Sequence, residues 1–195
     1  ESQHIFRMGH LLGEKARDIL GPGELIRHET DVTQALAETL SVLGPCAAGG
    51  RFVYEAAFSY QHVVSRADGF VKLGDGWRMV EVKASTSVKD YYLQDCAVQS
   101  WVAEGAGYPV REVYLAHLNK DFVYQGDGDY SGLLTLADVT LDIQPHKANV
   151  ESRVTEFRTM LAGPEPDIRT GDHCSEPFEC PFMNYCSTQE PPAPE

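Results

Sequence analysis

Glu81, Val82 and Lys83 form a Glu-x-Lys triplet inside a stretch, Trp77 to Ala84, that alternates as a β-strand does. Side chains two apart on a strand share a face, so Glu81 and Lys83 point the same way while Val80 and Val82 point to the other. Asp68, followed by Gly69, lies on the preceding stretch. If the two stretches pair around the turn Leu73-Gly74-Asp75-Gly76, Asp68 approaches Glu81. Two carboxylates with backbone carbonyls make a hard oxygen site suited to Mg²⁺ or Mn²⁺. A lysine beside them can hold a nucleophilic water or a developing phosphate charge, which outlines metal-assisted phosphodiester hydrolysis. The plainer reading of Glu-x-Lys is a solvated strand face. The apolar flanks, and a following helix with Tyr92, Asp95 and Gln99 on one face, favour the functional one.

A second cluster lies near the end of the chain. Cys174, Cys180 and Cys186 are separated by five residues each, with proline and aromatic residues between them. This segment has little apolar periodicity with which to bury free thiols. The residues alone leave open zinc, with His173 or another donor as fourth ligand, an iron–sulfur cluster, or buried thiols. The cysteine count is odd and the chain is larger than a disulfide mini-protein, so a metal or cluster in a reducing cytoplasm is expected rather than a secreted disulfide framework.

Asp68-Gly69, Glu81-Val82-Lys83, then Tyr92, Asp95 and Gln99 resemble the PD-(D/E)XK nuclease superfamily, and within it the RecB/Cas4-like branch. The order of motifs from about Phe6 to Cys186 is similar to the DUF2779 group of RecB-like proteins. The resemblance implies a restriction-endonuclease-like α/β core with a mixed central sheet flanked by helices, over residues 1–165. It also implies a cysteine-rich segment over 166–188, and a disordered tail is expected over 189–195. By the same resemblance Asp68 and Glu81 are metal ligands, Val82 offers a backbone carbonyl, Lys83 is the catalytic lysine, and Gln99 supports the site or contacts DNA. Tyr92 and Arg66 are expected on the nucleic acid. Members of the branch place a metal-binding histidine four residues after a glycine in the first helix. Here Gly9 is followed at that spacing by Gly13, so Glu14 is the expected substitute ligand, with His10 behind it. Glu55 is read as a group supporting the ligands. The three C-terminal cysteines imply a [4Fe–4S] cluster, with Zn²⁺ as the alternative. The fourth ligand would be Cys46, His173 or a residue outside this sequence.

Several elements must position these groups. Apolar residues at helical spacing predict helices over 5–20 and 30–43, the second capped by Thr30 and ended by Gly44-Pro45. Residues 51–60, 61–71 and 77–84 predict an antiparallel meander. Ser85–Ser87 can cap a helix over 89–103. Residues 110–118 read as a buried strand, 122–124 as another short strand, and 146–162 as a helix. Trp101 and Tyr108 are expected in the core rather than stacked on bases. His62, His117 and His146 have no partner at ligand spacing and read as structural.

The chain has 195 residues and a formal net charge of −13, with no apolar run of the ~20 residues that cross a bilayer. Global charge argues against nucleic-acid binding, but its distribution does not. Residues 1–120 carry 15 acids against 12 bases and the remainder carries 14 against 4. The stretch bearing Asp68 and Glu81 is therefore nearly balanced. No membrane association and no signal peptide are expected, and the location is expected to be cytoplasmic. The expected function is a metal-dependent DNA nuclease, with exonuclease preference, acting on single strands or free ends. A helicase or another repair or defence protein is the expected partner. The alternatives are an inactive nucleic-acid-binding or complex-forming module of the same fold, and a zinc-stapled interaction domain.

Overall fold

The computed structural model describes residues 2–28, 30–176 and 178–190; most of the expected tail, 191–195, lies outside the described residues. The chain divides into two compact units, Glu1–Glu151 and Ser152–Glu195.

The first unit opens with α1 (Ser2–Leu20), whose buried Leu12 and Ala16 repeat at i, i+4. After β1 (Gly23–Leu25) comes α2 (Val32–Gly49), whose cap is Asp31 rather than Thr30. The Asp31 carboxylate accepts from Gln34 N–H at 3.0 Å. The helix does not stop at Gly44-Pro45 but runs through it to a left-handed Gly50. Proline disfavours a helix interior, yet Leu43 and Cys46 are both buried on one side of this turn and hold it against the core.

The expected meander forms as β2 (Phe52–Tyr60), β3 (Val63–Leu73) and β4 (Gly76–Lys83), followed by α3 (Asp90–Gly105) and β5 (Val110–Leu118). Lys89, not a serine, stands at the α3 cap. The final strand is β6 (Leu134–Asp138); residues 122–124 are not a strand. They belong to a loop closed at its neck by Asn119, whose N–H and side-chain amide donate to the carbonyls of Leu133 and Gly132. The expected helix over 146–162 is split into α4 (Gln144–Lys147) and α5 (Val150–Ala162). Lys147 is tied to α3 through Glu104 at 2.6 Å and Ser100 at 3.2 Å.

The result is an α/β fold with one mixed six-stranded sheet in the order β1-β2-β3-β4-β5-β6. β1 is parallel to β2 and β4 to β5, and the other neighbours are antiparallel. The crossover from β4 to its parallel neighbour β5 passes through α3. Val53, Phe70, Met79, Val80, Val113 and Leu115 are fully buried along the central strands. Each such side chain contributes roughly 1.5–3 kcal/mol relative to exposure. Phe70 stacks on Trp77 with ring centres 4.8 Å apart, and Tyr108 packs on both Trp77 and Phe58. Trp101 meets Tyr60 edge-on, so both aromatics weighed as base stackers pack within the protein. At the β3–β4 turn Gly74 has φ +54°, and a Cβ on Gly76 would lie 2.8 Å from the carbonyl of Pro109. These glycines fix the turn, and with it the register that brings Asp68 opposite Glu81.

In the second unit, after α5, a short 3₁₀ turn (Asp172–Cys174) and α6 (Met183–Gln189) frame the cysteine segment. No described helix is long and apolar enough to cross a membrane.

Candidate functional site

The site begins where a ladder ends. β3 and β4 pair from Leu73↔Gly76 to Gly69↔Val80 and no further. At the next step Asp68 replaces backbone with side chain: its carboxylate accepts the Val82 N–H at 2.6 Å. The strands diverge there, and the Asp68 carboxylate takes up the Val82 N–H that the ladder leaves unpaired.

On the other side of Asp68 stands Glu55. The β2–β3 register pairs Tyr54 with Gly69 and Ala56 with Ala67, so Glu55 faces Asp68. Glu55 has φ +58°, a left-handed conformation that costs energy for a side chain within a strand. Glu55, Asp68 and Glu81 therefore form a row across three adjacent strands. Like charges placed directly opposite are destabilising, so the fold alone gives no reason for this row.

The electrostatics follow from that crowding. Burial raises the Asp68 carboxyl to about 6; the charges of Glu55 and Asp95 push it the same way, while the Val82 N–H and Lys83 resist. Burial also raises Glu81 well above the usual carboxylate range, with Asp68 adding to it. Glu81 is only 6% exposed; its Oε1 meets Lys83 Nζ at 2.7 Å, and its Oε2 is buried with no hydrogen-bond partner. An orphaned buried carboxylate oxygen is costly and calls for a positively charged partner.

Lys83 is shared. Its Nζ lies 2.5 Å from Asp95 Oδ2 on α3, and Asp95 Oδ1 accepts from the Gln99 amide at 3.2 Å. Burial works against the ammonium, but Glu81 and Asp95 outweigh it and hold Lys83 above its ordinary range, so it stays charged. The Tyr92 ring lies 5.5 Å from the same nitrogen, within cation–π reach.

A cavity of about 480 Å³ opens over these groups, lined by Glu55, Asp68, Glu81, Val82 and Tyr92 with α1 opposite. Gly9 and Gly13 of α1 line it, so α1 presents no side chain to the cavity at these two positions. Glu14 lies in a neighbouring cavity, together with Arg66, whose guanidinium donates to the carbonyl of His28. His10 borders both cavities. Asp68, Glu81, Val82, Lys83, Gln99 and Tyr92 thus come together, while Glu14 and Arg66 sit one cavity away. Glu55 as an equal member of the row, and Asp95 as a direct partner of Lys83, emerge only here. The sequence signal for Glu55 was its place on the strand preceding Asp68, which carries no register.

Two carboxylates, one with an unpartnered buried oxygen, and the Val82 carbonyl suit a hard cation. Among the described residues, no three His, Cys, Asp or Glu side chains converge tightly enough to hold a metal ion as they stand. Asp68 and Glu81 would thus be completed by backbone oxygen and water, as Mg²⁺ commonly is.

In the second unit Cys174, Cys180, Cys186 and His173 line one cavity of about 490 Å³ with Phe182. Cys180 N–H donates to the carbonyl of Cys174 at 2.8 Å, which folds the first two cysteines toward one another. All five cysteines are free thiols. Cys46 and Cys96 are buried in the first unit, and burial raises both thiols.

No family model matches the chain. No curated protein matches it either. Among solved structures, the crystal structure of SSO0001 is similar with a TM-score of 0.32 and 14% identity. The likeness covers 67% of this chain and 61% of that one, so the chain spans about three fifths of that protein.

Proposed function

We propose that this chain is a divalent-metal-dependent deoxyribonuclease, an exonuclease by preference, with a restriction-endonuclease-like core. One observation carries the reading. A row of mutually repelling carboxylates ends in a buried Glu81 oxygen without a partner, two residues from a lysine that is held charged. Fold stability does not account for such a set; a site for a cation and a phosphodiester does. The order of meander, helix and parallel strand supports the same reading, because it puts the Glu-x-Lys strand at the divergence point.

Mg²⁺ or Mn²⁺ held by Asp68, Glu81 and the Val82 carbonyl would supply Lewis-acid polarisation of the phosphodiester and a more acidic water. Lys83 stabilises the negative charge that develops on the phosphate, and Asp95 and Gln99 hold its ammonium in place. Tyr92 offers a ring face to a base, and Arg66 a guanidinium to the backbone. DNA with single-stranded or free ends, a helicase or another repair or defence protein as partner, and a cytoplasmic location belong to this proposal. A [4Fe–4S] cluster on Cys174, Cys180 and Cys186 or, with His173, a Zn²⁺ ion belongs to the same proposal and would require these side chains to draw closer together than they stand. Either would staple the C-terminal segment.

The test is hydrolysis of linear single- and double-stranded DNA in Mn²⁺ by the wild type, Glu81→Ala and Lys83→Ala. Cleavage by the wild type alone is expected, and no cleavage by the wild type with any divalent metal overturns the reading. The bare Gly13 position in the cavity wall favours a second reading, an inactive DNA-binding or complex-forming module. That reading predicts DNA retention without hydrolysis in the same assay.

A further inference from the structure

The cavity next to the carboxylates is basic. Arg17 of α1, Arg27 after β1 and Arg66 of β3 line a space of about 520 Å³ together with His10, Glu14 and Glu55, so three guanidiniums face two carboxylates there. It shares His10, Arg17 and Glu55 with the cavity holding Asp68 and Glu81, so the two spaces adjoin. Among the described residues, none of the three guanidiniums is in a salt bridge; Arg66 donates instead to the carbonyl of His28. Three guanidiniums gathered at one place repel each other, and among the described residues no salt bridge to a carboxylate offsets that repulsion. Planar forks of this kind match phosphate oxygens in bidentate fashion.

The placement relative to the carboxylates is set by the strand. Arg66 and Asp68 are two apart on β3 and so lie one pleat repeat from each other. That step, roughly 6.5 Å, is comparable to the reach between adjacent phosphates of an extended strand. A phosphate bound at Arg66 would leave the next one along the strand near Asp68. A phosphate monoester carries close to two negative charges near neutral pH, whereas an internal diester carries one. The arginine cluster is better matched to the monoester.

We propose that Arg17, Arg27 and Arg66 form a subsite for the terminal phosphate of a DNA strand, adjacent to the carboxylate row. The proposal rests on the nuclease reading for its substrate and deepens it: the strand end is recognised by charge before its first linkage is presented. Arg17, common to both cavities, contacts both phosphates.

The experiment measures binding in EDTA, where no hydrolysis occurs, by fluorescence anisotropy with the 195-residue chain. Single-stranded oligonucleotides carry a 5′-phosphate, a 3′-phosphate or hydroxyls at both ends, with the label on the opposite end. Binding about fivefold or more tighter is expected for one phosphorylated end over its hydroxyl counterpart. In Arg17→Gln/Arg27→Gln that preference disappears and the salt slope of binding falls by about one to two. Arg27→Gln alone, at an exposed side chain, loses part of the preference and guards against a folding defect in the double variant. Equal affinity for all ends, or a preference retained in both variants, overturns the subsite. Hydrolysis in Mn²⁺ is followed in parallel. Cleavage by the wild type without end preference sinks the subsite alone; end preference without cleavage sinks the nuclease reading and leaves a binder of phosphorylated ends.

Discussion

Lys83 Nζ lies closer to Asp95 Oδ2, at 2.5 Å, than to Glu81 Oε1, at 2.7 Å. The lysine of the Glu-x-Lys strand is thus held by a helix as well as by its own strand neighbour, and Gln99 braces the helix carboxylate. Asp95 acts through Lys83, which makes it a positioning residue. Asp95→Asn is expected to lower kcat by about ten- to a hundredfold while KM for DNA changes little, because the interaction lost is one that orients charge in the transition state. Steady-state kinetics on a linear substrate check this; a rise in KM at unchanged kcat would contradict it.

The crowded carboxylates make metal-free stability depend on pH in an unusual direction. Asp68 has a carboxyl raised to about 6 in the folded chain, above the ordinary aspartate value of 3.8. The folded state therefore holds its proton between those values while the unfolded state has released it. Stability from this group is full below the unfolded value and is lost as pH rises through about 6. The raised Glu81 carboxyl acts in the same direction. Melting temperature in EDTA should fall between about pH 4 and 6 relative to Asp68→Asn, which keeps an acceptor for Val82 and removes the charge. At about 2–4 °C per kcal/mol for a chain of this size, the difference is readable by thermal denaturation. A saturating divalent cation should reverse the trend in the wild type only.

Gly13 leaves room on the cavity wall. A Cβ built there would meet only the Arg17 guanidinium, at 3.9 Å. Gly13→His should place an imidazole toward Asp68 and Glu81, tighten Mn²⁺ binding by about tenfold, and stabilise α1 because glycine is a poor helix former. Titration followed by Mn²⁺ electron paramagnetic resonance measures the affinity. Unchanged affinity in a folded variant would mean that the position does not reach the metal.

For the cysteine cavity, protein purified without oxygen should absorb near about 400 nm, as iron–sulfur clusters do. Cys174→Ser, Cys180→Ser and Cys186→Ser should each abolish the band, whereas Cys46→Ser, at a buried core thiol, should keep it. A colourless protein with one zinc per chain would select the zinc alternative.

Much of the site was legible as local pattern. The period of two that puts Glu81 and Lys83 on one face, the glycine turn behind Asp68, and the i, i+4 spacing of Asp95 and Gln99 are written into neighbouring residues. Each needs only the geometry of one strand, turn or helix. The same local reasoning misplaced the end of α2. Pro45 is a breaker by its own chemistry, but burial of Leu43 and Cys46, many residues from their partners, outweighed it. It also expected the last strand near 122–124, because aromatic and β-branched residues favour strands, whereas β6 forms where Leu134–Asp138 can pair with β5.

Tertiary structure alone decided the company of Glu55, Asp95 and the three arginines. Glu55 joins Asp68 through the register of β2 on β3, and Asp95 reaches Lys83 only because α3 crosses back over the sheet between β4 and β5. Arg17, Arg27 and Arg66 lie 10 and 39 residues apart in the chain and converge because α1, the chain after β1 and β3 border one cavity. The sequence by itself determined the chemical groups and the elements that carry them, since propensity and period act over a few residues. Register and helix docking determined their company, because those depend on burying apolar surface across the whole sheet.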